Sequence, residues 1–95
     1  MAEYRLIFRV HAVQRMFEQS ITETDVSRVL SSGEVIREYP EDKPYPSRLV
    51  LGFLGARPVH VVVADNSAEG EQIIITVYEP DPLRWDKSFH RRTKR

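Results

Sequence analysis

The chain has 95 residues, 41% of them hydrophobic and 29% charged, with 14 basic side chains against 14 acidic ones. That is the ordinary composition of one globular domain, enough chain to bury a single core, and it excludes wholesale disorder. The absence of cysteine excludes disulfide staples and a thiolate zinc site, and no apolar run approaches the roughly 20 residues that span a bilayer.

The first five residues lack the apolar run of a signal peptide, so a cytoplasmic location is expected. Residues 4–9 alternate as a short strand, with Leu6 and Phe8 on one face. From Val10 the period changes: Ala12, Val13, Met16 and Phe17 form the i, i+3, i+4 pattern of one helical stripe. Thr22 is the expected N-cap of a second helix, with Asp25 as the reciprocal capping acid and Ile21 stapled onto Val26. Val26, Val29 and Leu30 share its buried face, and Gly33 reads as a left-handed stop.

After Gly33 the residues 34–39 alternate, and Pro40 ends the run. A proline-bounded connection leads to β-rich runs at 48–54 and 59–64, joined by the hairpin signal Gly55-Ala56-Arg57-Pro58. A polar turn at 65–70 precedes a last strand at 72–78, closed by Pro80 and Pro82. The expected architecture is α+β: a short N-terminal strand, two amphipathic helices, then an antiparallel sheet of three to four strands. It reads as one domain over residues 1–82 and a basic C-terminal tail over 83–95. The tail carries six basic residues against one acid, whereas residues 33–82 carry nine acids against four bases. Such asymmetry reads either as an arm for an anionic partner or as a solvated terminus.

Two groups of residues carry chemistry. His11, Arg15 and Glu18 fall on one side of the first helix, opposite its apolar stripe. They read as an acid/base group beside a phosphate clamp, or as a solvated face with an Arg15–Glu18 pair. His60 interrupts Val59, Val61 and Val63, and a regular hairpin brings it opposite or one step diagonal to Tyr78, with Thr76 and Ile74 on the tyrosine's face and Gly52 leaving space beside the imidazole. This pair is a proton-transfer or phosphate-binding platform, or a satisfied half-buried histidine beside a rim tyrosine. His11, His60 and His90 have no chelating spacing, so neither a metal nor another cofactor is expected. Near the end, Arg84 and Trp85 suit stacking and backbone contacts to nucleic acid, while Trp85 and Phe89 equally suit packing at i, i+4.

These residues together resemble a bacterial family designated domain of unknown function 4258. The likeness runs through His11-Ala12, Arg15-Met16, Ile21, Val26, Gly33-Glu34-Val35-Ile36, Tyr39-Pro40, Gly52, His60-Val61-Val62, Thr76-Val77-Tyr78-Glu79-Pro80 and Trp85. Such proteins look like members of the RelE/ParE toxin superfamily, several of which are metal-independent endoribonucleases neutralised by an antitoxin. The resemblance implies helices packed on an antiparallel sheet, a toxin-like role in a bacterial toxin–antitoxin system, and an antitoxin and RNA as partners. Where similar sequences read Glu-Arg-Gly after the first helix, this one has Glu18-Gln19-Ser20, which removes a basic residue from the turn.

Cleavage through a ribose 2′-hydroxyl needs a base, an acid and a cation. That reading assigns His11 and His60 to proton transfer, Tyr78 to acid or orienting duty and Arg15 to phosphate. Arg37 and Arg48 are further phosphate ligands, and Arg84 and Trp85 complete the substrate-binding set. Two other readings stand beside it: a non-catalytic protein-binding module using the sheet edge and tail, and an RNA-binding domain without cleavage activity.

Overall fold

The computed structural model describes residues 4–93. Lys94 and Arg95 of the basic tail, and residues 1–3, lie outside the described residues. The elements run β1 (Arg5–Phe8), α1 (Val10–Gln19), α2 (Glu23–Ser32), β2 (Glu34–Tyr39), β3 (Ser47–Leu54), β4 (Arg57–Asn66) and β5 (Glu71–Tyr78). The strands form one five-stranded sheet in the order β1-β5-β4-β3-β2.

The sheet is mixed rather than purely antiparallel, and it has five strands rather than three or four. The meander β2 to β5 is antiparallel throughout, but β1 lies beside β5 and runs parallel to it. The two helices carry the chain from that edge across the sheet to β2 at the other edge. Alternation identifies a strand but not its partner, so β1 could be read locally while its pairing could not.

Both helices cover one face, α1 over β5 and α2 over β3 and β4. Ala12, Met16, Ile21, Val26 and Val29 interdigitate there with Val50, Val59, Val61, Val63, Ile74 and Val77. The second helix begins as its sequence dictates. The Thr22 hydroxyl accepts from the Asp25 N–H at 3.0 Å, and the Asp25 carboxylate accepts from the Thr22 N–H at 2.9 Å. A cap of this kind contributes about 1 kcal/mol.

The first helix buries less than its stripe suggests. Ala12 and Met16 are buried, whereas Val10, Val13 and Phe17 are exposed. With α1 seated over β5 near the sheet edge, only a narrow line of its surface meets the sheet. The left-handed stop also moves. Gly33 is extended, at φ −81°, and is needed for closeness: a Cβ there would stand 2.4 Å from the Val29 carbonyl oxygen and 2.7 Å from that of Leu51. Ser20, at φ 57°, is the left-handed residue, and it ends α1.

Candidate functional site

On β4, Val59, Val61 and Val63 point into the helix-covered core, so His60 points to the opposite face. Its direct partner across the ladder is Tyr78. A bulge follows on β5, where Val62 faces Thr76 and Val63 faces Ile74, leaving Ile75 as the extra residue. The bulge reverses the alternation, so Ile74 joins the helix-side core instead of sharing the face of Tyr78. Gly52 is likewise on the helix side: it pairs with Val59, and the space it leaves is filled by Val29. The residue beside the imidazole is Leu51.

His60 has no exposed surface. Residues 81–93 fold back over it as a small hairpin, in which Trp85 bridges Arg92. The Asp86 N–H donates to the Arg91 carbonyl at 2.8 Å, and the Thr93 N–H donates to the Arg84 carbonyl at 2.9 Å. Trp85 is 9% exposed and meets His60 edge to face, with ring centroids 4.4 Å apart. Arg92 lies 6.0 Å above the indole.

Both imidazole nitrogens are engaged. Nε2 lies 2.9 Å from the Phe89 carbonyl oxygen, which can only accept, so Nε2 carries the proton. Nδ1 is then the acceptor, and it takes the Tyr78 hydroxyl at 3.2 Å. Burial lowers the pKa of His60, opposed by the Phe89 carbonyl, and burial raises that of Tyr78. The pair is therefore neutral and internally satisfied, with no free nitrogen to collect a substrate proton. Its geometry suits holding two pieces of chain together better than moving protons.

The other expected site residues are dispersed. His11 and Arg15 are exposed on α1, whose buried Ala12 and Met16 face the sheet from the helix side. The sheet thus separates them from His60 and Tyr78, and the four do not converge. Arg15 lies 3.9 Å from Glu18, the solvated pair. Arg48 opposes Val63 on the helix-side face and is paired with Asp65. Arg84 stands on the hairpin 3.9 Å from Asp81. Trp85 is enclosed, so it has no free ring face of the kind a stacking base requires.

Arg37 opposes Leu49 and so shares the face of His60. Here it joins residues that charge counting located in the tail without assigning them a place. Arg37, Arg91, Arg92 and His90 line a groove of about 550 Å³ between β2 and the hairpin, together with Glu34, Val35 and Ile36. Glu34 is partnered there, since its carboxylate lies 2.8 Å from His90 Nε2 and raises the pKa of that imidazole. Three arginine residues therefore line one groove. The turn that delivers two of them has a sequence signal in Asp86-x-Ser88, because the Asp86 carboxylate accepts from the Ser88 hydroxyl and the His90 N–H. Among the described residues, no three His, Asp or Glu side chains gather as metal ligands.

A family model described as "Domain of unknown function (DUF4258)" matches residues 8–79. Nothing among the curated proteins or the solved structures matches the chain. The chain belongs to the DUF4258 family.

Proposed function

We propose that this DUF4258 protein is a toxin-like component of a bacterial toxin–antitoxin system, of RelE/ParE type, and that it acts by holding RNA on the sheet face opposite its helices. The observation that carries this reading is the gathering of Arg37, Arg91 and Arg92 around one groove. Guanidinium groups bind phosphate oxygens in bidentate fashion, and several along one groove follow a nucleic-acid backbone. The half-buried ring of Tyr78 lies on the same face. Two helices packed on one side of a sheet, with chemistry on the other, support the RelE/ParE likeness. Cleavage is not assigned to His60, because both of its nitrogens are occupied in a site closed to solvent.

The test is fluorescence anisotropy of a labelled single-stranded RNA at rising salt. The expected affinity falls with a log–log slope near −2, from about 0.7 for each of three phosphate contacts. Arg37→Ala should remove about one contact, and RNA incubated with the protein in EDTA should stay intact. Binding indifferent to salt would sink the groove reading. Cleavage abolished by His60→Ala would restore the nuclease reading in its place.

A second reading, a protein-binding module that engages an antitoxin, rests on Val10, Val13 and Phe17 of α1. They recur at i, i+3 and i+7, and Phe17 is 89% exposed. Loss of antitoxin capture in Phe17→Ser would favour it; capture undiminished would exclude that seam.

A further inference from the structure

We propose that His60 is the positioning residue of the cationic groove: by fixing the Phe89 carbonyl it holds the hairpin turn in the conformation that brings Arg91 and Arg92 beside Arg37. The inference rests on reading that groove as an RNA site, and its test is built so that the two can fail separately.

The three arginines come from two pieces of chain. Arg37 belongs to the sheet, whereas Arg91 and Arg92 follow Phe89 on the hairpin. Phe89 has φ 65°, a left-handed conformation that a residue with a Cβ adopts only under constraint. Within the hairpin, the Phe89 N–H donates to the Asp86 carbonyl at 3.0 Å and the His90 N–H donates to the Asp86 carboxylate at 3.1 Å. These bonds shape the turn but do not fasten it to the sheet.

Two bonds do. One joins His90 to Glu34, both exposed enough for water and salt to weaken it. The other joins Nε2 of the fully buried His60 to the carbonyl of the partly buried Phe89. His60 is itself held by the Tyr78 hydroxyl on Nδ1 and by the edge-to-face contacts of Tyr78 and Trp85. A line of contact therefore runs from β5 through the imidazole to the strained peptide at Phe89, two residues before Arg91. Without the imidazole, the left-handed turn loses its buried anchor and the two cations lose their fixed distance from Arg37.

The full-length chain allows a direct test, because Trp85 is its only tryptophan. His60→Leu removes both hydrogen bonds while keeping an apolar side chain in the site. The expected result is a red-shifted Trp85 emission that acrylamide quenches more readily, with cooperative melting of the core retained. Affinity for a labelled single-stranded RNA should fall about tenfold near 0.1 M salt, and the salt slope should shrink by about 1.4, the share of two phosphate contacts. Adding Arg91→Ala and Arg92→Ala to His60→Leu should cost nothing further, because the hairpin arginines are already out of register.

Phe89→Gly, which frees the left-handed turn from strain, should recover part of the slope in the His60→Leu background. Should His60→Leu fail to fold, Phe89→Pro asks the same question from the hairpin side, since proline cannot adopt φ 65°. It should shrink the slope equally with the core intact. Losses that add, or a released Trp85 with an unchanged slope, would overturn the proposal. If the wild-type chain binds no RNA, the groove reading fails by itself; Trp85 quenching unchanged by His60→Leu would then overturn the positioning role, and increased quenching would uphold it.

Discussion

The Nδ1 atom of His60 accepts the hydroxyl proton of Tyr78 at 3.2 Å, and the two residues face each other directly across the β4–β5 ladder. Their pKa values are driven apart, the imidazole's down and the phenol's up, with burial the main cause in each case. Proton transfer from Tyr78 to His60 would require each group to ionise against its surroundings. A pair of this kind strengthens a fold and fixes geometry, and its consequences are measurable.

The first concerns pH. His60 starts from an ordinary value of 6.5, lowered in the folded state, so the unfolded chain binds its proton more readily. Its contribution to stability is fully present above 6.5 and is lost as pH falls through the lower folded value. His90 has the opposite sign, because Glu34 raises its pKa: its contribution is present below 6.5 and fades as pH rises through the folded value. The exposed pair is the weaker of the two. The wild-type melting temperature should therefore drop between about pH 6.5 and pH 5. In His60→Leu that drop should disappear, and the His90 effect should remain as a fall in melting temperature when pH rises above 6.5; thermal melts from about pH 5 to about pH 8 check both signs.

The two turns flanking α2 give opposite expectations for small substitutions. Ser20→Gly removes a left-handed strain and should stabilise the chain by about 0.5–1 kcal/mol. Gly33→Ala forces a Cβ to within 2.4 Å of the Val29 carbonyl oxygen and should destabilise by about 1–3 kcal/mol. Urea midpoints of the two variants should lie on either side of the wild type.

Removing the lid from the histidine should show in its titration. Trp85→Ala deletes the ring packed 4.4 Å from His60 and should cost about 3 kcal/mol as a large-to-small core substitution. The imidazole, rehydrated, should titrate closer to 6.5, which an NMR titration of its ring signals would record.

Phe17 should be dispensable to the fold. At 89% exposure its replacement by Ser should change stability by less than about 0.5 kcal/mol, measured by thermal melting, because the ring buries little surface in the folded chain.

The parts of this molecule legible in its sequence are those set by near neighbours. The Thr22–Asp25 box, the alternation of β4 and the pairing of His60 with Tyr78 all follow from local chemistry and from the length of one hairpin. What was not legible depends on contacts made at a distance. A single extra residue, Ile75, turns Ile74 to the other face, and nothing in a run of isoleucines marks which one bulges. The side of the sheet on which the helices settle decides that His11 and Arg15 stand apart from His60. The basic residues of the tail were visible as charge. Their return to the sheet depends on Trp85 and on a left-handed Phe89, a conformation that phenylalanine does not advertise.

The parallel pairing of β1 with β5 has a consequence for how the chain assembles. Arg5 meets Glu71 across a separation of 66 residues, so this edge closes the longest loop between paired strands in the sheet. The meander β2 to β5 needs only short hairpins and connections, and it can form before β1 has anywhere to bind. During synthesis the strand made first must therefore wait for the strand made last. Its brevity, four residues, keeps the waiting segment a poor template for pairing with another chain.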